Sequence, residues 1–295
     1  MKKKLIFEGI ATAIVTPFQG GEIDEDAFRK LIDIQLEGGI DALVVGGTTG
    51  EAATLTRAER YKLFEIAREK TYGRTRLIFG TGTNDTAVAL DHTREAARIG
   101  CDGVLVVTPY YNKGTESGVE KHYRELANCT DLPIILYNVP GRTGVNLGLR
   151  LLERLSRDEK IVGIKEASDS LDRLCALAAF GDELPLYAGN DSQILEVLAL
   201  GGRGVISVAS NLFPKYLAGL SRAFRDGDIE EARRRQFSLL PLINALFAET
   251  NPVPVKHALS LMGLCREEVR LPLAEARNDT RGLIAKALSE LSTEK

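Results

Sequence analysis

The sequence has no apolar run of the roughly 18–20 residues needed to cross a bilayer, which sets aside a helical membrane protein. It also has no excess of charge of one sign. Its 38 lysines and arginines stand against 41 aspartates and glutamates, a formal net charge of −3. Such a balance leaves no electrostatic footprint for nucleic acid. Cysteine is sparse: Cys101, Cys129, Cys175 and Cys265 are far apart and form no CxxC pair. Zinc-ligand spacing is therefore absent, and nothing suggests a disulfide framework. Cys175 falls in an apolar helical run and reads as a small buried hydrophobe. His92, His122 and His257 are scattered, with no HExxH, so no metal site is expected. Three lysines follow Met1, but Leu5 to Gly9 are too short and too polar for a signal-peptide core. The expected location is the cytoplasm. Low-complexity segments and long linkers are missing as well.

What the sequence does have is an apolar share of 44% over 295 residues, enough for one barrel or two smaller domains. Strand-like runs alternate with stretches of helical period. The runs are "GIATAIVTPF", "ALVVGG", "RLIFGTG", "GVLVVTP", "PIILYNV", "VGIKEAS", "LPLYAGN" and "GVISVAS". Between them lie helical patterns such as Asp26 to Glu37 and Thr56 to Lys70. Thr56 and Glu59 are spaced as a capping box. Glycines in "EGGIDALVV", "RIGCDGVLVV" and "LGGRGVISV" suit helix ends and turns back into a sheet. Eight strand–helix repeats favour a (β/α)8 barrel over a doubly wound sheet. The pattern places the barrel in residues 1–225, closed by a helix from Pro214 to Arg225. "RDGD" at 225–228 reads as a turn. A separate helical region follows in 226–295, with patterns at Ile229 to Phe247, Val255 to Met262 and Asp279 to Leu291.

Active sites of such barrels form at the C-terminal ends of the strands. Here those ends read "GGTTGE", "GTGTN", "TPYYNK", "YNVPGRTG", Lys165, "AGND" and "SVASN". A barrel that was only structural would not need reactive and glycine-rich residues gathered at one rim, so the pattern favours an enzyme. Lys165 ends the buried-looking run "IVGIKEASD" and is followed by Glu166. The two could simply pair, but neighbouring strand residues point to opposite faces. If Lys165 faces the interior, desolvation lowers its pKa from a reference of about 10.4. A neutral amine attacks a ketone and forms a Schiff base. The protonated imine is an electron sink, so the adjacent carbon can lose a proton without metal or organic cofactor. Tyr137, ending the neighbouring strand, can shuttle protons during imine formation. Thr48 and Thr49 offer hydroxyls and N–H groups to a small anion. Arg142 in "PGRTG" can grip a carboxylate bidentately. The bland alternatives are a packing tyrosine, a mere turn and an exposed loop arginine. Tyr111, the second tyrosine of "PYYN", reads equally as an exposed loop residue.

Taken in order and at their spacing, "GIATAIVTPF", "GGTTGEAATL", "GTGTN", "TPYYNK", "YNVPGRTG", "GIKEAS", "AGND" and "GGRGVISV" resemble the dihydrodipicolinate synthase family. It belongs to the pyruvate-aldolase superfamily that also contains N-acetylneuraminate lyase. The resemblance covers essentially the whole chain. "GTTGE" and "NVPGRTG" look like the synthase branch, since sialic acid lyases differ in the first motif and lack the arginine of the second. The resemblance implies that Lys165 forms the Schiff base with pyruvate, with Tyr137, Thr48 and Tyr111 as proton relay. It implies that Thr49 holds the pyruvate carboxylate and Arg142 the carboxylate of L-aspartate 4-semialdehyde. Backbone carbonyls of Gly189 and Ile206 would line the pocket. The product would be 4-hydroxy-tetrahydrodipicolinate, on the way to diaminopimelate and lysine. Tyr111 would reach into a neighbouring subunit, implying a dimer as the catalytic unit and a homotetramer, a dimer of dimers, as the assembly.

Two rival functions remain: a pyruvate-dependent aldolase acting on a sugar acid, and a keto-acid sensor without turnover. Arg142 speaks against the first and the complete relay against the second. In family members that lysine inhibits, the effector site uses two histidines and a glutamate at the dimer interface. This sequence keeps Asn84 and Tyr110 there but has Arg57 and Arg60 for the histidines and Val88 for the glutamate. Weak or absent inhibition is expected, unless Arg57 and Arg60 pair with Glu59 or Glu65 along their own helix.

Overall fold

A computed structural model describes residues 3–293. Residues 1–2 and 294–295, the ends of the expected barrel and helical regions, lie outside the described residues. Eight parallel strands close into a barrel. They are β1 (Gly9–Ala13), β2 (Ala42–Val45), β3 (Arg76–Gly80), β4 (Gly103–Val107), β5 (Ile134–Asn138), β6 (Ile161–Glu166), β7 (Leu186–Ala188) and β8 (Gly204–Ser207). Seven of the expected strand runs contain one of them, and β6 starts one residue ahead of the eighth, at Ile161. The ring closes where β1 pairs with β8, Gly9 opposite Gly204. The approach there demands glycine: Gly204 has φ +145°, and a Cβ on it would sit 1.9 Å from the Gly9 carbonyl oxygen.

Side chains alternate between two cores. Ala42 and Val44 point into the barrel, whereas Leu43 and Val45 pack beneath the surrounding helices. In β6 this alternation is interrupted. Ile161 faces the helices, so strict alternation would turn Lys165, four residues on, outward as well. But Ile134 pairs with Ile161 while Ile135 pairs with Gly163, so β6 carries one extra residue at this point. Such a bulge flips every side chain beyond it to the other face. Lys165 thereby comes level with Tyr137, inside the barrel.

The helices follow their local signals. Thr56 and Glu59 make the capping box that starts Arg57–Thr71. Gly100, at φ +90°, ends Thr86–Ile99. Gly227, at φ +84°, turns the chain between Pro214–Arg225 and Ile229–Leu246. Val253–Leu261 and Asn278–Thr293 complete the described tail. A short hairpin, Phe18–Gln19 against Glu22–Ile23, was not foreseen. Cys175 corrects an expectation, for it is exposed. Its helix, Leu171–Ala178, buries Leu174 and Leu177, and one step of about 100° beyond Leu174 turns Cys175 toward solvent. Among the described residues no helix is long and apolar enough to cross a membrane.

Candidate active site

Lys165 is 5% exposed, and its Nζ lies 4.3 Å from the centroid of the Tyr137 ring. Glu166 does not neutralise it. That carboxylate is buried on the other face, where it accepts from Asn138 Nδ2 at 2.9 and 3.0 Å and from Arg173 Nε at 3.1 Å. Burial lowers the Lys165 ammonium to about 7, with the Asp191 charge opposing the shift and Arg142 adding to it. Near neutral pH the amine is therefore substantially free and nucleophilic.

Tyr137 stands beside it, also buried. Burial raises its phenol, opposed by the Arg142 charge and by a hydrogen bond with Thr48. Thr48, Tyr137 and Arg142 line one cavity of about 520 Å³. Thr49 is buried behind it, its Oγ1 accepting from Asn251 Nδ2 at 2.9 Å. Arg142 sits in the short helix Pro140–Thr143 and donates to the Asn251 carbonyl at 2.9 Å. Ile206 is in the barrel interior. Gly189 is buried just past β7, donating its N–H to the Glu166 carbonyl at 2.6 Å. Tyr111 is not gathered in: it is 88% exposed at φ +69°, and Tyr110 lines the cavity instead.

A model of the family described as "Dihydrodipicolinate synthetase family" matches residues 6–291. The chain belongs to this family. Among curated relatives it is 46% identical over 280 residues to the 4-hydroxy-tetrahydrodipicolinate synthase of Pelobacter propionicus, covering 95% of this chain and 97% of that one. It is 48% identical over 270 residues to the synthase of a Geobacter species, covering 91% and 93%. The solved synthase structure from Methylacidiphilum fumariolicum superposes with a TM-score of 0.96 at 42% identity, covering 99% and 97%.

In this family member the positions expected to face an effector differ from each other. Arg57 is exposed and pairs with Asp91 at 3.0 Å while donating to the Tyr61 hydroxyl at 2.9 Å. Neither Glu59 nor Glu65 is its partner; Glu59 is bound to Arg270. Arg60 is buried and donates to the carbonyls of Gly80 at 2.8 Å and Ala52 at 3.0 Å. Val88, Tyr110 and His92 share the cavity with it. Burial first, and the Arg60 charge second, lower His92 to about 4.

Four residues around the site were missed. Asp191 accepts from the N–H groups of Val208 and Ala209 at 2.9 and 3.0 Å, and its charge acts on Lys165. It stands in the "AGND" rim motif, which was the available signal. Asn251, Glu51 and Lys256 join the tail to the threonine loop. Lys256 could have been found as Lys165 was, as a lysine inside an apolar run, here "VPVKHALSL". Asn251 offered no such signal.

Proposed function

We propose that the protein condenses pyruvate with L-aspartate 4-semialdehyde to give 4-hydroxy-tetrahydrodipicolinate, in the cytoplasm, on the way to diaminopimelate and lysine. The observation that carries this is Lys165: an amine held inside the barrel, lowered to about 7 by burial, beside a phenol that hydrogen-bonds Thr48. The free amine adds to the pyruvate ketone, and the carbinolamine loses water to leave a protonated imine. Loss of a methyl proton gives an enamine, whose carbon attacks the aldehyde. The substrate's own amine then closes onto the imine carbon, and Lys165 leaves. Tyr137, Thr48 and Tyr111 pass the protons. Thr49 and its backbone hold the pyruvate carboxylate, Arg142 holds that of the aldehyde, and the carbonyls of Gly189 and Ile206 face the pocket. The chemistry needs no metal or organic cofactor.

Tyr111 completes the relay from a second copy of the chain in this reading. Its exposure and left-handed backbone support a side chain meant for a neighbour. The assembly is then a dimer of dimers. Within each chain, the turn at Gly227 supports a barrel in 1–225 and a helical unit from 226. Arg142 disfavours a sugar acid as second substrate, and a sensor would not need the relay.

Pyruvate with borohydride should add one reduced pyruvate per chain, at Lys165. Pyruvate with L-aspartate 4-semialdehyde should yield the cyclic product. Labelling at another lysine would remove the mechanism, and turnover only with sugar-acid aldehydes would give the site to the rival aldolase.

A further inference from the structure

Glu51 ends the motif "GGTTGE", two residues past Thr49. It has φ +53°, a left-handed conformation uncommon for a residue with a long side chain. The turn around it is tight: Gly50 N–H donates to the Gly47 carbonyl at 3.1 Å and Glu51 N–H to the Thr48 carbonyl at 3.0 Å. Its carboxylate is held from far along the chain. Lys256 Nζ donates to Oε1 at 2.7 Å, and the Arg270 N–H donates to Oε2 at 3.0 Å. The ion pair is sealed, with side-chain exposures of 0% for Lys256 and 1% for Glu51. The Phe18 ring lies 4.3 Å from Lys256 Nζ and 4.3 Å from the Arg270 guanidinium carbon. A second tie from the tail, Asn251 Nδ2 to Thr49 Oγ1, grips the same loop.

Stability alone does not account for such a pair. Desolvating two charges is expensive, and apolar residues of similar volume often hold a fold as well or better. An apolar pair cannot, however, pin one carboxylate at two points and so hold a strained turn in one geometry. We infer that Glu51 and Lys256 are positioning residues: their ion pair sets the threonine loop that receives the keto-acid carboxylate, making the C-terminal helices a working part of the site. This rests on the reading of Thr48 and Thr49 given under the proposed function.

The test compares the parent with Glu51→Gln, with the charge-free double variant Glu51→Leu/Lys256→Met, and with Lys256→Arg. The pyruvate concentration that half-saturates imine trapping should rise about tenfold in the double variant, equivalent to ~1.4 kcal/mol of binding. It should rise less in Glu51→Gln, which keeps an acceptor for the Arg270 N–H. The KM for the aldehyde should stay within about threefold of the parent's, and Lys256→Arg should retain most of the parent's pyruvate affinity. A folded double variant that half-saturates within about twofold of the parent overturns the inference, as does an equal loss for both substrates. If the double variant does not fold, Glu51→Gln decides by the same split. Trapping absent from the parent itself would remove the functional reading, and this inference with it.

Discussion

Two of the buried lysines have their Nζ 4.3 Å from an aromatic centroid: Lys165 by Tyr137, Lys256 by Phe18. Burial lowers the pKa of both. They differ in the nearest carboxylate. Lys256 donates to Glu51 at 2.7 Å, and that contact, with the Glu51 charge, opposes the effect of burial. Lys165 feels Asp191 through space, its strand neighbour Glu166 being bound elsewhere. The paired amine has its lone pair committed to a proton and can only hold a position. The amine without a bonded counter-ion is the one that can give up its proton and react. A buried lysine is thus a signal of two opposite meanings, and the partner decides between them.

The largest expected effect is a crossed one. Lys165→Met should abolish condensation and trapping while leaving the unfolding midpoint at or above the parent's, since no bonded partner is stranded. Lys256→Met should still allow trapping, at higher pyruvate, but should lose stability. It leaves Glu51 charged and buried, which should cost about 3–5 kcal/mol of stability, read as the shift of the urea unfolding midpoint. Equal destabilisation by the two substitutions would break the contrast.

Next in size, Arg142→Ala should leave pyruvate trapping intact and weaken use of the aldehyde by about 1.5–3 kcal/mol in kcat/KM, the worth of a hydrogen bond to a charged group. Unchanged kinetics would remove the carboxylate role.

A smaller effect sharpens the comparison by pH. Because the Lys165 ammonium is lowered to about 7, the reactive free amine grows as pH rises through that value. The rate of imine formation should follow with a midpoint near about 7, not near a free lysine's value. Asp191 opposes the lowering, so Asp191→Asn should move the midpoint further down. A midpoint unmoved by that change would show that Asp191 does not act on the amine.

The smallest expected effect is that of free lysine. Arg60 is another buried cation, held by the backbone carbonyls of Gly80 and Ala52, and Val88 supplies no counter-charge beside it. A ligand with two ammonium groups and one carboxylate meets repulsion there. Activity should change little from micromolar to tens of millimolar lysine at fixed ionic strength. Strong inhibition well below a millimolar would overturn this.

The barrel was legible because its signals are local. Alternating runs such as "ALVVGG" and "GVLVVTP", the Thr56–Glu59 box and the Gly100 cap lie within a few residues of what they specify. The rim groups Lys165, Tyr137, Thr48 and Arg142 were legible for the same reason, since strand ends can be read along the chain. Cys175 misled because an apolar run does not say which side of its helix faces the core. Asn251 was invisible because its partners, Thr49 and Arg142, are remote in sequence.

By itself, then, the sequence determined the order of strands and helices and the chemical groups gathered at one rim, because periodicity, caps and strand ends are properties of neighbouring residues. Which way Lys165 points was decided only in the tertiary structure, by one extra residue in β6 against β5. So was the pairing of Lys256 with Glu51, 205 residues away. Both depend on how separate segments meet in register and in space, and no local pattern carries that distance.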